Sequence, residues 1–211
     1  MLCSLLISAC AGYHVSYRDN PLLSYDIRSV AVPMFVNRSV IPHVAAPMTQ
    51  EIVSVLNQYD GLKVVAGESE TTDSILLGII DSNEKINETI TAKSTEFSEG
   101  KTSLGNRQPF YYPSELSYSL RLQLILIKRP SQAELELFKS DLGQYLKLHP
   151  KAIINEVIPL SGSYQRVAND NTAGSGGDVN YVKNVGIFEK SVQDLSRSAA
   201  ITFRDLILNA F

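Results

Sequence analysis

The sequence lacks tryptophan and is poor in histidine and cysteine. Its three histidines, His14, His43 and His149, stand too far apart to suggest a metal site. Both cysteines, Cys3 and Cys10, fall in the first ten residues, where a disulfide would constrain very little of the chain. We therefore expect no disulfide, no metal, and a different chemical role for at least one cysteine.

An excess of one charge sign is also missing. Lys and Arg total 19 against 22 Asp and Glu, which gives a net charge of −3. Nucleic-acid binding through a broad basic surface needs the opposite balance, so we expect no nucleic-acid partner. With 44% apolar and 19% charged residues, the 211-residue chain has the composition of a folded globular protein.

The N-terminus carries the pattern of a lipoprotein signal. Residues 2–9 are apolar or small, and this run is far shorter than the roughly 20 residues of a membrane-spanning helix. Ile7, Ser8 and Ala9 before Cys10 resemble a lipobox. The signal peptidase needs slim residues beside the scissile bond, and the thiol must be free to form a diacylglyceryl thioether. We predict N-acyl and S-diacylglyceryl lipid on Cys10. Several acyl chains on one residue would hold the protein stably at a membrane.

This interpretation divides the chain at Cys10. Residues 1–9 are the predicted signal peptide, and residues 10–25 are the lipidated tether. No basic residue precedes Arg18, so we expect the signal to be truncated at its start. Ala11 is not the aspartate that retains enterobacterial lipoproteins in the inner membrane, which favours the periplasmic side of the outer membrane. The alternative is a buried N-terminal strand with an incidental cysteine.

The remaining chain predicts an α+β fold in a single domain, residues 26–211. The order β-α-β-β-β-(insert)-β-α indicates a two-layer sandwich, in which a mixed, mostly antiparallel sheet carries two long helices on one face (a β-α-β-β-β-α core). The predicted elements are a strand at 27–36, a helix at 47–59, strands at 62–66, 74–80, 86–92 and 116–126, an inserted helix at 131–148, a strand at 152–158 continued by 160–167, and a helix at 188–210.

Several local patterns support these elements. Apolar residues occupy every second position over 116–126 and alternate with polar residues as far as Gln123, which is typical of a half-buried antiparallel strand. The continuous apolar run 74–80 indicates a central strand covered on both faces. Pro33 places the first strand at a sheet edge or at a bulge. The last helix carries both charge signs on its polar face, so it is expected to dock on the sheet and not on a membrane.

No motif requires an enzyme. Ser82 and Ser98 each begin a Ser-x-x-Lys pattern, but the Ser-Asp-Asn and Lys-Thr-Gly partners of penicillin-recognising enzymes are absent. The glycine-rich run 174–177 lacks the ending of a phosphate loop and is better explained as a linker. Glu134 and Glu136 are expected on the solvated face of the inserted helix. An uncharacterised hydrolase remains a weaker alternative.

Three stretches together resemble the LptE family, the outer-membrane lipoproteins of lipopolysaccharide assembly. Residues 10–14 (CAGYH) look like the family's lipidated start, and residues 27–39 (IRSVAVPMFVNRS) are similar to its first strand. The 116–126 strand and the closing helix match its later elements in order. Residues 31–38 also resemble the first strand of curli-secretion and peptidoglycan-synthase-activator lipoproteins. The inserted helix at 131–148 departs from the family's short hairpin.

The resemblance implies a role without catalysis. LptE proteins plug the lumen of the LptD β-barrel, assist its assembly and contact lipopolysaccharide. Lipid phosphates call for Lys or Arg on projecting segments, so the candidate contacts are Lys101 and Arg107 in the 97–113 loop, with Lys183 and Lys190 behind them. The alternatives are that these are ordinary solubilising charges, and that the protein is a periplasm-facing regulator or secretion-channel component.

Overall fold

The computed structural model describes residues 19–69, 71–97, 111–139, 150–167 and 181–210. These ranges hold one 3₁₀ turn, four α-helices and seven strands. Their bounds in chain order are the turn Pro21–Tyr25, β1 Ser29–Val32, β2 Val36–Asn37, α1 Ala45–Leu56, β3 Lys63–Ala66, β4 Ser74–Asp81, α2 Ile86–Thr89, β5 Ile90–Phe97, β6 Tyr111–Lys128, α3 Gln132–Lys139, β7 Ala152–Gln165 and α4 Tyr181–Ala210.

The long strand β6 organises the sheet. Its residues 121–128 pair antiparallel with β4, and its residues 111–118 pair antiparallel with β5. Strand β7 pairs antiparallel with residues 115–127, so β4 and β5 share one edge of β6 while β7 occupies the other. Beyond β4 lie β1 and then β3, both parallel to it, and β2 adds a short parallel pairing with β4. The sheet is therefore mixed and mostly antiparallel, as predicted.

The main core lies between the sheet and the two long helices. Apolar residues of α1 and α4 pack in one cluster with alternate residues of β6, namely Tyr118, Leu120, Leu122, Leu124 and Leu126. This confirms the α+β architecture with two long helices on one face of the sheet. A smaller cluster on the opposite face holds Ala31, Ile75, Leu77, Ile79, Ile125 and Ile127, which explains why the 74–80 run is apolar throughout.

Pro33 interrupts the first strand without placing it at an edge. β1 lies between β3 and β4, so of the two predicted alternatives the sheet edge is wrong and an irregularity in the strand remains. The chain leaves the ladder after Val32 and pairs again with β4 at Val36. Between these points Phe35 turns into the core, with only 3% of its surface exposed. A proline, which cannot donate to a ladder, is tolerated because the ladder is broken there.

The segment after β4 differs from the predicted strand 86–92. Residues Ile86–Thr89 form a short helix, and only then does β5 begin at Ile90. Thr89 is buried, and its hydroxyl donates to the carbonyl of Asn83 at 3.1 Å, which fixes this corner. The β4 and β5 strands therefore run along successive parts of the same neighbour, with one helical turn between them.

The inserted helix begins where predicted. Ser131 and Glu134 form a reciprocal capping box: the Glu134 amide donates to the Ser131 hydroxyl at 3.4 Å, and the Ser131 amide donates to the Glu134 carboxylate. Lys151 also donates to that carboxylate, with Nζ 3.0 Å from Oε1. The prediction that Glu134 is simply solvated is therefore wrong. α3 is described as far as Lys139, and the rest of the predicted 131–148 helix lies outside the described residues.

The apolar spacing of the closing helix predicts a buried stripe of seven residues, Phe188, Val192, Leu195, Ala199, Phe203, Leu206 and Ala210. Its middle members are buried, and Phe188 and Leu206 are half-buried. Val192, Leu195, Ala199 and Phe203 are all at most 5% exposed. The buried surface is wider than the stripe, because small residues between its members and one further isoleucine also face the core: Ser196, Ala200 and Ile207. Within the described ranges, none of the helices is long and apolar enough to cross a membrane.

Gly78 in β4 offers a sharp test of this packing. A Cβ atom there would lie 2.5 Å from the ring of Phe35, a contact that requires the ring or the strand to move. Gly78→Ala is expected to lower the free energy of unfolding by about 1–3 kcal/mol or more, because overpacking a core is costly. Chemical denaturation of both proteins measures the difference.

Gly186 in α4 provides the matched control, since a Cβ there would meet nothing within 4 Å. Gly186→Ala is expected to stabilise the protein by about 0.5–1 kcal/mol, because alanine is the better helix former. Equal effects of the two substitutions would contradict the packing of Phe35 on Gly78.

The Glu134 capping box predicts a dependence of stability on pH. Burial opposes ionisation of Glu134, but hydrogen bonds from Ser131 and Lys151 outweigh it and lower its pKa from 4.5 to about 2. The stabilisation is therefore fully present above about pH 4.5 and is lost as the pH falls towards 2. Glu134→Gln is expected to lower the melting temperature at pH 7, with the difference from the native chain closing below pH 4. A difference that persisted at pH 2 would count against this ionised contact.

Candidate functional site: a groove between the two long helices

A cavity of about 590 Å³ opens between the start of α1 and the first half of α4. Pockets of this size are typical of small-molecule sites. Its apolar lining comes from Pro42, Ala46, Pro47, Val185, Phe188 and Val192, and its polar lining from His43, Gln50, Glu189 and Gln193. We call this cavity the α1–α4 groove.

The two helices run in the same direction along the groove. Residues 42–50 line one wall of the groove, and residues 185–193 of α4 line the other. One turn further along, Arg197 of α4 contacts Glu51 of α1, with Nε and Oε1 3.6 Å apart. The groove therefore lies on the N-terminal side of this ion pair on both helices.

The α1 wall is held by the turn that follows β2. The Asn37 side-chain oxygen accepts from the Ser39 amide at 3.0 Å, and the Asn37 amide nitrogen donates to the Ile41 carbonyl at 2.8 Å. The Val40 amide donates to the Ser82 hydroxyl at 3.1 Å, which ties the turn to the end of β4. This bonding fixes the chain just before Pro42, where the groove lining begins.

His43 stands at the groove in an uncommon backbone conformation. Its φ of 61° lies in the left-handed region, which residues other than glycine rarely adopt. The imidazole is exposed, and the next residue, Val44, is fully buried at the start of α1. The left-handed turn thus lets the chain bury Val44 while leaving His43 at the mouth of the groove.

The α4 wall is held by an aromatic cluster on the sheet. Phe188 lies edge-on to Tyr164 and Tyr118, with ring centroids 5.2 and 5.9 Å apart. The Tyr118 hydroxyl bonds to the Ser191 hydroxyl at 2.8 Å, and Ser191 donates to the Ser163 carbonyl at 3.1 Å. Burial raises the pKa of Tyr118, against the weaker effect of the Ser191 hydrogen bond. Phe188 therefore packs against two tyrosines of the sheet and also lines the groove.

Asn184 joins the start of α4 to the end of β7. Its side-chain oxygen accepts from the Val167 amide at 2.8 Å, and its side-chain nitrogen donates to the Val167 carbonyl at 3.0 Å. The asparagine thereby pairs with Val167 as a neighbouring strand would. This contact holds the first turn of α4 to the end of β7. Asn184 directly precedes Val185, the first residue of α4 that lines the groove.

Two of the predicted lipid contacts lie on α4, but neither is among the residues that line this groove. Lys183 and Lys190 are both exposed on α4, seven residues and therefore about 10 Å apart on one side of the helix. They lie on the same stretch of α4 that lines the groove. The other predicted site residues, Cys10, Lys101 and Arg107, lie outside the described residues.

Most of the groove was missed by sequence reasoning. Val185 continues the apolar spacing of Phe188 and Val192 by one turn, and the predicted stripe started one turn too late to include it. In the sequence, Pro42 and Pro47 indicate the start of a helix, and α1 does start between them. They also line the opposite wall of the groove. Proline signals an element boundary whether or not the boundary faces a cavity, so only the fold reveals the second role.

The opposite face of the sheet has a polar surface over β6 and β7. Ser117 lies opposite Ser163, and Ser119 opposite Ser161, beside shallow depressions of about 350 and 450 Å³. The Thr91 and Ser117 hydroxyls bond to each other at 2.9 Å. Among the described residues there is no group of His, Cys, Asp and Glu side chains that could hold a metal ion.

No family model matches the chain, and the search of curated proteins found no match. Among solved structures, the chain is similar to a "putative lipoprotein" from Caulobacter crescentus CB15, at a TM-score of 0.40 and 7% identity over 83% of this chain and 89% of that one. It is similar to hypothetical protein CT253 from Chlamydia trachomatis, with a TM-score of 0.37 and 12% identity over 86% of this chain and 98% of that one. It is also similar to rare lipoprotein B from Shewanella oneidensis, with a TM-score of 0.35 and 13% identity over 85% of this chain and 92% of that one. At these identities and TM-scores, the likenesses carry no argument about function.

Proposed function

We propose that this protein is an outer-membrane lipoprotein, held by lipid on Cys10, that plugs and assists assembly of an LptD-type β-barrel and contacts lipopolysaccharide. The observation that carries the proposal is the sequence Ile7-Ser8-Ala9-Cys10, which has the residue types that lipoprotein processing requires. The role is binding, since the candidate site is a groove lined by apolar side chains and neutral amides with one carboxylate and one imidazole.

The place where the described chain begins is compatible with a tether to Cys10. Asp19 forms a parallel bridge with Asp60, just beyond the C-terminal end of α1. The α1–α4 groove lies at the other end of that helix, which spans 12 residues and therefore about 18 Å.

The stretch that carries the family resemblance has a clear structural use here. Phe35 packs on Gly78, and Asn37 bonds within the turn that supports the groove. These roles support membership of a shared fold more directly than they support a shared partner. The barrel and lipopolysaccharide contacts therefore rest on the whole pattern from Cys10 to α4, with Lys101, Arg107, Lys183 and Lys190 as candidate phosphate contacts.

The anchor is tested by acyl labelling. Cells that express the protein from its gene are given radiolabelled palmitate, and the label is expected on the protein. Cys10→Ser is expected to abolish labelling, because the diacylglyceryl thioether forms on that thiol. Cys3→Ser is the matched control and should label normally. Labelling of Cys10→Ser would refute the anchor.

The partner is tested by purification after detergent extraction. The tagged native chain is expected to enrich a large outer-membrane β-barrel, and peptide mass spectrometry identifies it. Enrichment of a penicillin-binding protein, or a ring of many copies of the chain itself, would favour the periplasmic regulator or the secretion-channel component. A lipidated chain that enriches none of these would leave the anchor valid and the plug role refuted.

A further inference from the structure

We propose that the 3₁₀ turn Pro21–Tyr25 rests on the phospholipid bilayer that holds the lipid anchor, with the side chains of Leu23 and Tyr25 in the interfacial region of that bilayer. The inference rests on the proposed lipid on Cys10. It goes beyond it, because a lipid tether holds a domain near a membrane without fixing its orientation. The contact of the turn gives the domain a defined end that faces the bilayer.

The length of the tether keeps this turn close to the membrane. The described chain begins at Asp19, nine residues after Cys10, and nine extended residues span at most about 30 Å. Leu23 follows only four residues later. Among the large apolar side chains that are exposed in the described ranges, Leu23 and Tyr25 are therefore the nearest along the chain to the proposed anchor. A tethered group meets its target at high effective concentration, so a weak contact is sufficient here.

The turn is held firmly to the domain. The Asn20 side-chain oxygen accepts from the Leu22 amide at 2.9 Å, and its side-chain nitrogen donates to the Ile27 carbonyl at 2.7 Å. Asp26 closes the turn in the left-handed region, with a φ of 58°, and its amide donates to the Leu23 carbonyl at 2.8 Å. Leu22 is buried in the core, whereas Leu23 faces outwards. Because the turn is already ordered, its contact with a bilayer costs little conformational entropy.

The exposed side chains of the turn have the chemistry of a membrane interface. Leu23 is 54% exposed and Tyr25 is 40% exposed, within three residues of each other. A tyrosine has an apolar ring and a polar hydroxyl, and tyrosines are enriched at the boundary between hydrocarbon and water. The Lys128 ammonium donates to the Tyr25 carbonyl, and long lysine side chains can extend along apolar surface while the charge stays in water.

The charges around the turn favour a bilayer over a strongly charged partner. Two carboxylates, Asp19 and Asp26, belong to or adjoin the turn, and two basic residues, Arg28 and Lys128, adjoin or contact it. The opposite charges balance, so attraction to anionic lipid is not the driving force. The contact is apolar, and it therefore requires only zwitterionic phospholipid and persists when salt screens charges.

The test uses a single tryptophan as a reporter, since the chain has none of its own. The full-length chain carrying Cys3→Ser and Ser24→Trp is joined through the Cys10 thiol to a maleimide-headgroup lipid in phosphatidylcholine vesicles. Ser24 is exposed and lies between the two apolar residues of the turn, which stay native. Brominated phosphatidylcholine in the vesicles is expected to quench the tryptophan fluorescence, and the emission is expected to shift to shorter wavelength.

Tyr111→Trp is the matched reporter at the far end of β6. Tyr111 is exposed, and it lies 17 residues before Lys128, or about 55 Å along the strand. Quenching is expected to be several-fold stronger for Ser24→Trp than for Tyr111→Trp, because only the turn faces the bilayer. Equal quenching of the two reporters, or quenching at Ser24 that is lost in about 1 M NaCl, where the Debye length is about 3 Å, would overturn the proposal.

The two apolar side chains are tested in the Ser24→Trp protein. Leu23→Gln/Tyr25→Gln is expected to lower the quenching several-fold. Ile86→Gln/Val157→Gln is the matched control, because these two residues are also exposed but belong to α2 and β7, and it should leave the quenching unchanged. Circular dichroism and melting temperature establish that the variants are folded. Equal effects of the two double substitutions would overturn the role of the turn.

This experiment and the labelling experiment fail separately. Maleimide coupling supplies the anchor in the vesicles, so the result does not depend on processing of Cys10 in the cell. Absence of palmitate labelling would refute the natural anchor, whereas absence of selective quenching would refute the contact between the turn and the bilayer.

Discussion

The fold depends on the alternation of side chains along β6. Every second residue from Tyr118 to Leu126 enters the core beneath the helices, and the strand's backbone bonds on one edge to β4 and β5 and on the other to β7. A shift of one residue would exchange the two faces and bury the serines and Arg121 in place of the leucines. The register of β6 therefore fixes at once the helix layer, the polar face and the position of Tyr118 under α4.

The stretch that most suggests a family is built around a single contact. Phe35 occupies the space that a side chain at Gly78 would need, which requires the chain to leave the ladder after Val32, and Pro33 is compatible only with such a break. Asn37 then closes the turn. Local packing therefore explains the residues of this stretch without reference to any partner.

The sheet and the helices could be predicted from the sequence because buried apolar residues recur at regular intervals. The interval is two residues in β6 and three to four residues in α4. Prediction failed where the deciding contact is distant along the chain. Pro33 predicts a sheet edge or a bulge, and the choice between them depends on the packing of Phe35 on Gly78, which is 43 positions after Phe35. Glu134 looked solvated because its partner Lys151 lies 17 residues away. The groove was invisible for the same reason, since its walls come from opposite ends of the domain.

The pairing of Asn184 with Val167 has a consequence for the connection between β7 and α4. Because one side chain bonds to both the amide and the carbonyl of Val167, the two ends of the connection 168–180 are held together at a single point. The entropy of closing such a loop grows only slowly with its length. The connection is thus the natural site for inserting a peptide tag or a reporter domain, because its length can change while both walls of the groove stay in register.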